Sequence, residues 1–254
     1  MPALCGSRTS APNYSWPEPK YQVRVEENVK IPMRDGIRLS TDLYKPIDVG
    51  NKLPVILIRT PYNKAPYLEP KSTARQFAGQ GYMVAVQDTR GRYASEGDYT
   101  AFAVDVTDGY DTTDWLSKQS WSNGKIGTYG CSYVGHVQIL QAQLRYPNLT
   151  AMIPQAAGSS IGAAGTKPAP KIPDSQLRKE WGTLPLVGMT ARAGAAPSDW
   201  DDIVSRELTD LWWDQFGYLK GNERFNVPAL HIGSLVWYDF GVAEVYTAFV
   251  RTQY

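Results

Sequence analysis

Ile126-Gly127-Thr128-Tyr129-Gly130-Cys131-Ser132-Tyr133-Val134-Gly135 is the stretch whose reading decides the fold. Lys125–Tyr129 has the composition of a strand, Tyr133–Arg145 reads as a helix, and the residues between them leave room only for a sharp turn at Ser132. Such a turn strains the backbone of its central residue and holds that side chain clear of both elements, so its neighbours must be small. Gly130, two residues before Ser132, and Gly135, three after, meet that demand. Ser132 then stands at the amino end of a helix, where the free N–H of Tyr133 can stabilise an oxyanion. The usual spelling of this elbow is G-x-S-x-G, whereas here Val134 occupies the place of the second glycine. As a bare string the pattern is weak, because a small-residue turn without chemistry is spelled the same way. The strand before it and the helix after it select Ser132 as a candidate nucleophile.

Outward from the elbow, strands and helices alternate. Tyr21–Ile31 and Ile37–Tyr44 are β-prone runs joined by Pro32-Met33-Arg34-Asp35-Gly36, whose Asp-Gly pair suits a hairpin turn. Leu53–Arg59 and Tyr82–Gln87 are short continuous apolar runs, as strands buried on both faces require. Lys71–Gln80 reads as a helix stopped by Gly81, Val104–Ser117 as a second helix, and Ala151–Gln155 as a further strand. This rhythm predicts an α/β fold, a mostly parallel sheet flanked by helices. Residues 158–175 break it with Gly, Ala and Pro, after which Asp174–Trp181 and Ser198–Leu219 look helical and Val227–Ile232 resumes as an apolar strand. The expected organisation is a flexible leader over 1–20, a core over 21–157, a helical lid inserted over 158–222, and the core again over 223–254.

Composition narrows the functional classes. The 254 residues carry a net charge of +1 with both signs interspersed, so neither the basic stripe of a nucleic-acid binder nor the polybasic cluster of a membrane anchor is present. No apolar run approaches the roughly 20 residues of a membrane span. The first twenty residues lack the apolar core of a signal peptide, which leaves the compartment open between cytoplasm and export. Asp105, Asp108, Asp111 and Asp114 recur every third residue; calcium loops use alternate positions, so this reads as an acidic helix face. Trp181, Trp200, Trp212 and Trp213 fall in the insertion, where they either line a pocket or pack the lid internally.

Four further stretches, taken with Gly130-Cys131-Ser132-Tyr133-Val134-Gly135, carry a resemblance. They are Pro32–Leu39 (PMRDGIRL), Arg59–Lys64 (RTPYNK), Gln87–Gly97 (QDTRGRYASEG) and Trp121–Gly127 (WSNGKIG). In this order they resemble the Xaa-Pro dipeptidyl-peptidase-like serine hydrolases, the group that includes the cocaine esterase-like (CocE/NonD) and α-amino acid ester hydrolases. The resemblance implies an α/β-hydrolase fold and acyl transfer to water through an acyl-enzyme on Ser132. It also implies that the Tyr62 hydroxyl joins the Tyr133 N–H in holding the oxyanion. Asp239, in Gly233–Phe240 (GSLVWYDF), resembles the acid of the family's G-x-W-Y-D segment, with one extra residue before Trp237. Neither a metal nor an organic cofactor is implied. The implied substrates are small-molecule esters or short peptides: carboxylic esters, α-amino acid esters or Xaa-Pro peptides.

The order of a triad in this fold is Ser, acid, His, yet no histidine follows Asp239. His136 lies one turn down the elbow helix, roughly 6 Å deeper, and is expected to face the core or a neighbouring helix. His231, inside an apolar strand, reads as a packed strand residue. The chain is therefore expected to be the front part of a longer hydrolase, lacking the last strand, the His loop and a C-terminal β-sandwich. Its sheet edge would then be open to pairing with a second copy. The alternative is a non-catalytic protein of the same fold that binds acyl compounds without turnover.

Overall fold

A six-stranded sheet is built from β1 (Val23–Pro32), β2 (Arg38–Pro46), β3 (Leu53–Thr60), β4 (Met83–Asp88), β5 (Ser122–Cys131) and β6 (Leu149–Gln155). The computed structural model describes residues 16–100, 102–157, 188–194, 200–206, 211–212 and 224–232. Three longer helices are interleaved with the strands: α1 (Thr73–Gly79), α2 (Asp105–Ser117) and α3 (Tyr133–Ala142). Ser72 caps α1 by accepting the Arg75 N–H, so that helix begins two residues later than the sequence suggests.

The spatial order is β1-β2-β4-β3-β5-β6. β1 and β2 form the expected antiparallel hairpin, turned at Gly36 with φ +88°. β2 also runs antiparallel to β4, while β4, β3, β5 and β6 are mutually parallel. Apolar side chains alternate between two buried faces, as a strand's period of two requires. Val55, Leu57, Met83 and Ala85 pack with Leu116 of α2, whereas Ile58, Val84 and Val86 pack with Ala74 and Ala78 of α1. Beyond β6, Val227–Ile232 lies where the sequence places a strand. Ala229 bridges Met152 and Ile232 bridges Gln155, both in parallel.

Part of the expected leader is described. Trp16 packs edge-on against Phe77, and the Lys20 and Tyr21 N–H groups both donate to Gly79 O at the end of α1. In the insertion, Met189–Arg192 and Trp200–Ser205 are short helices. The second ends at Ser205, followed by a bend at Arg206, and Leu211–Trp212 form a 3-10 turn; the rest of Ser198–Leu219 lies outside the described residues. Ser205 Oγ donates back to Asp201 O at 2.6 Å in the last turn of that helix. Asp174–Trp181 lies outside the described residues.

Candidate active site

The chain leaves β3 for β4 on one side and returns to β5 on the other, so β3 and β5 are adjacent parallel strands whose successors diverge. The crevice beyond the carboxyl ends of such a strand pair is where open α/β sheets bind ligands. Leu57 pairs with Thr128, so Thr60 and Cys131 end their strands level with one another. Tyr62 and Ser132 come immediately after. The topology itself brings these two residues together.

Ser132 adopts φ +61° and ψ −126°, a conformation rare for any residue but glycine, whose cost is of order 1–3 kcal/mol. Three backbone bonds hold it there: its N–H donates to Gln155 O at 2.9 Å, and its carbonyl accepts from Gly135 and His136 at 2.9 and 2.8 Å. The flanking glycines are steric necessities. A Cβ on Gly130 would lie 2.1 Å from Val134 Cγ1, and one on Gly135 would lie 2.6 Å from Gln155 O. Tyr133 opens α3, so its N–H is one of the helix's donors without an intrahelical acceptor.

The Tyr62 hydroxyl is 3.4 Å from Ser132 Oγ. Several bonds fix its loop. Tyr62 N–H donates to Thr60 Oγ1, Arg92 Nε to Pro61 O, and Lys64 N–H to Asp88 Oδ1. Lys64 Nζ forms a buried ion pair with Asp42 at 2.8 Å. The QDTRGRYASEG segment thus braces this loop and the hairpin. Arg90 joins Asp35 of the hairpin turn to Asp108 of α2, and a Cβ on Gly91 would strike Tyr99 N at 2.1 Å.

The four aspartates of α2 require a correction. Asp105 and Asp108 do not form an acidic helix face; both are buried, held by Arg59 at 2.8 Å and Arg90 at 2.7 Å. Asp111 and Asp114, further along, pair with Arg34 and Lys118 nearer the surface. Desolvation of two carboxylates is tolerated because each meets a guanidinium. Asp105 also accepts the Tyr133 hydroxyl at 2.6 Å, a contact the three-residue spacing did not reveal. Only the mixture of arginines elsewhere in β3 and after β4 hinted at partners.

Neither histidine stands at Ser132 Oγ. His136 is buried against the Phe102 ring, centroids 4.6 Å apart, with its Nε2 unpartnered. Burial pushes its imidazole down to about 4. His231 lies in the bridged segment beyond β6, two strand spacings or about 10 Å from β5. Trp212 packs against the cluster formed by Phe102, Tyr133, Val137 and Leu140, so part of the expected insertion reaches the elbow helix. Asp239, Trp181 and Trp213 lie outside the described residues. Among the described residues no cluster of three metal-ligating side chains occurs, and no helix is long and apolar enough to cross a membrane.

Known proteins share this architecture. An α-amino acid ester hydrolase structure superimposes with a TM-score of 0.67 at 22% identity, covering 98% of this chain and 48% of that one. A CocE/NonD family hydrolase from Staphylococcus aureus does so with a TM-score of 0.58 at 26% identity, covering 76% of this chain and 38% of its own. The sequence is 35% identical to a Rhodococcus cocaine esterase over 184 residues, 71% of this chain and 32% of that protein. The chain therefore spans about a third of the esterase's length. Residues 35–166, from the hairpin turn through the elbow to the segment after β6, match the model of the X-Pro dipeptidyl-peptidase (S15) family. Because that match takes in more than half of the sequence, this chain belongs to the X-Pro dipeptidyl-peptidase (S15) family, on an α/β-hydrolase fold.

Proposed function

We propose that this chain carries the nucleophile and oxyanion site of a serine hydrolase that cleaves small-molecule esters or short-peptide amides through an acyl-enzyme on Ser132. The observation that carries the reading is the Ser132 hydroxyl, held at a left-handed elbow with the Tyr62 hydroxyl 3.4 Å away. Ser132 Oγ attacks the substrate carbonyl carbon, its proton passes to a general base, and the carbonyl oxygen becomes an oxyanion. Tyr62 O–H and Tyr133 N–H donate to that oxygen, a stabilisation typically worth 10²–10³ in rate for a single donor. Collapse expels the alcohol or amine, which takes the proton, and water then releases the acid by the same steps in reverse. In this reading Asp239 orients the base, and that base is neither His136, buried and neutral, nor His231. No cofactor takes part.

A second reading is favoured by the same absence of a base at Ser132 Oγ among the described residues: a protein that binds acyl compounds without turning them over. Labelling with a fluorophosphonate, with and without added imidazole as a surrogate base, separates the two. Ser132-dependent labelling that imidazole accelerates is the expected result. Equal labelling of Ser132→Ala, or none even with imidazole, would remove the enzyme reading and leave the binding one.

A further inference from the structure

Beneath the elbow lies a polar network that acyl transfer at Ser132 does not itself use. The Tyr133 phenol is turned into the interior, where it donates to Asp105 Oδ2 at 2.6 Å and accepts the Phe102 N–H at 3.2 Å. Asp105 is 2% exposed and is gripped by Arg59, whose Nη2 donates to its Oδ1 at 2.8 Å and whose Nη1 donates to its backbone carbonyl at 3.0 Å. Arg59 Nε in turn donates to Gln87 Oε1, which also accepts from Thr112 Oγ1. The Phe102 ring stacks on Tyr133 with centroids 4.2 Å apart, and Phe102 holds φ +64°, an outlier for so bulky a residue. The phenol is thus held by α2 and by the strained Phe102, and β3 and β4 brace its acceptor Asp105 through Arg59 and Gln87. Burial pushes the Tyr133 hydroxyl well above its ordinary value, so it stays the donor. Burial also pushes Asp105 up, against the pull of Arg59 and the Tyr133 hydroxyl toward the carboxylate.

A tyrosine anchored this firmly by its side chain cannot rotate its main chain freely. In the proposed mechanism the anchored residue is also the one whose N–H, free at the start of α3, meets the oxyanion. We infer that Asp105, held by Arg59, is a positioning residue: by fixing the Tyr133 phenol it sets the direction of the Tyr133 N–H toward the oxyanion. The inference rests on the serine-hydrolase reading. An oriented donor acts only in so far as its geometry is preorganised, and an ångström of misplacement costs rate rather than ground-state binding.

The test measures Ser132 phosphonylation, in which the P=O oxygen takes the oxyanion's place, and resolves limiting rate from half-saturating probe concentration. All variants are assayed well below their melting temperatures and normalised to folded protein. Tyr133→Phe keeps the ring and the main chain while releasing the anchor. Its limiting rate should fall roughly tenfold with the half-saturating concentration little changed, and Asp105→Asn should fall less because an acceptor remains. Arg34→Ala, which breaks an ion pair to α2 far from the elbow, should leave both constants as in the parent. A purely structural network would lower the melting temperature of Tyr133→Phe without changing its limiting rate, and that result would overturn the inference. Should Tyr133→Phe fail to fold, Asp105→Asn decides by the same criterion. A parent chain that shows no Ser132-dependent labelling would instead mean that the serine-hydrolase reading has failed.

Discussion

Tyr62 and Tyr133 meet edge to face across the site, ring centroids 6.3 Å apart, and the same side chain is put to opposite uses in the two. Tyr62 is 57% exposed and turns its hydroxyl to Ser132, while its main chain is tied to Thr60, Asp88 and Arg92 through its own and neighbouring residues. Tyr133 is 8% exposed and hides its hydroxyl in the core, leaving its main chain at the site. The difference comes from the element that the chain enters after each strand. A loop after β3 can present a side chain, whereas a helix after β5 presents its first free N–H groups. In the proposed mechanism, which part of each tyrosine serves the site is thus set by that next element and not by residue type.

The contrast between the two tyrosines breaks most severely at the main chain beside Tyr133. Gly130→Ala would force a Cβ against Val134 at a backbone φ of +151°, and the expected loss is about 4 kcal/mol in urea unfolding, with labelling lost alongside. A gentler probe of the same side is acid. The His136 imidazole, packed on the Phe102 ring that stacks on Tyr133, stays neutral down to about pH 4, while in the unfolded chain it binds a proton below about 6.5. Its folded value is the depressed one, so stability is intact above pH 6.5 and declines as pH falls toward 4, by roughly 3 kcal/mol at about 1.4 kcal/mol per pH unit. His136→Phe should flatten that part of the pH–stability curve, and an unchanged slope would dissociate His136 from it. On the other side, Tyr62→Phe should slow Ser132 phosphonylation about 100-fold, near 3 kcal/mol of barrier, with the melting temperature unmoved because the side chain is exposed and, among the described residues, its hydroxyl makes no bond to the core. Arg34→Ala sets the baseline. Its guanidinium is half exposed, and losing its pair with Asp111 should cost under about 1 kcal/mol.

Much of this was legible in the sequence because the signals were local. Gly130 and Gly135 announced a close approach, Asp35-Gly36 a hairpin, and the uninterrupted apolar runs of β3 and β4 a sheet covered on both faces. Tyr62 could be placed at a strand end by motif alone. The α2 aspartates could not be sorted, since a spacing of three reads the same whether a helix faces water or an arginine. Their partners lie 46 positions away for Asp105 and 18 for Asp108, and only the assembled fold brings them into reach. For the same reason the anchor on Tyr133 was invisible: Asp105 precedes it by 28 residues and belongs to another helix.

The pairing of the central strands has an evolutionary corollary. Where β3 meets β5 the ladder slips between Leu53 and Val55, at the amino end of β3, and where β5 meets β6 it slips between Ile126 and Gly127, opposite the amino end of β6. Beyond those points the paired residues advance in step toward the carboxyl ends, Gly130 beside Pro154 and Cys131 beside Gln155. Insertions and deletions can therefore be absorbed at the bottom of the sheet, whereas one residue gained or lost near the top would turn Ser132 to the opposite face. Length drift in such a lineage should accumulate at one pole of the domain and be purged from the other.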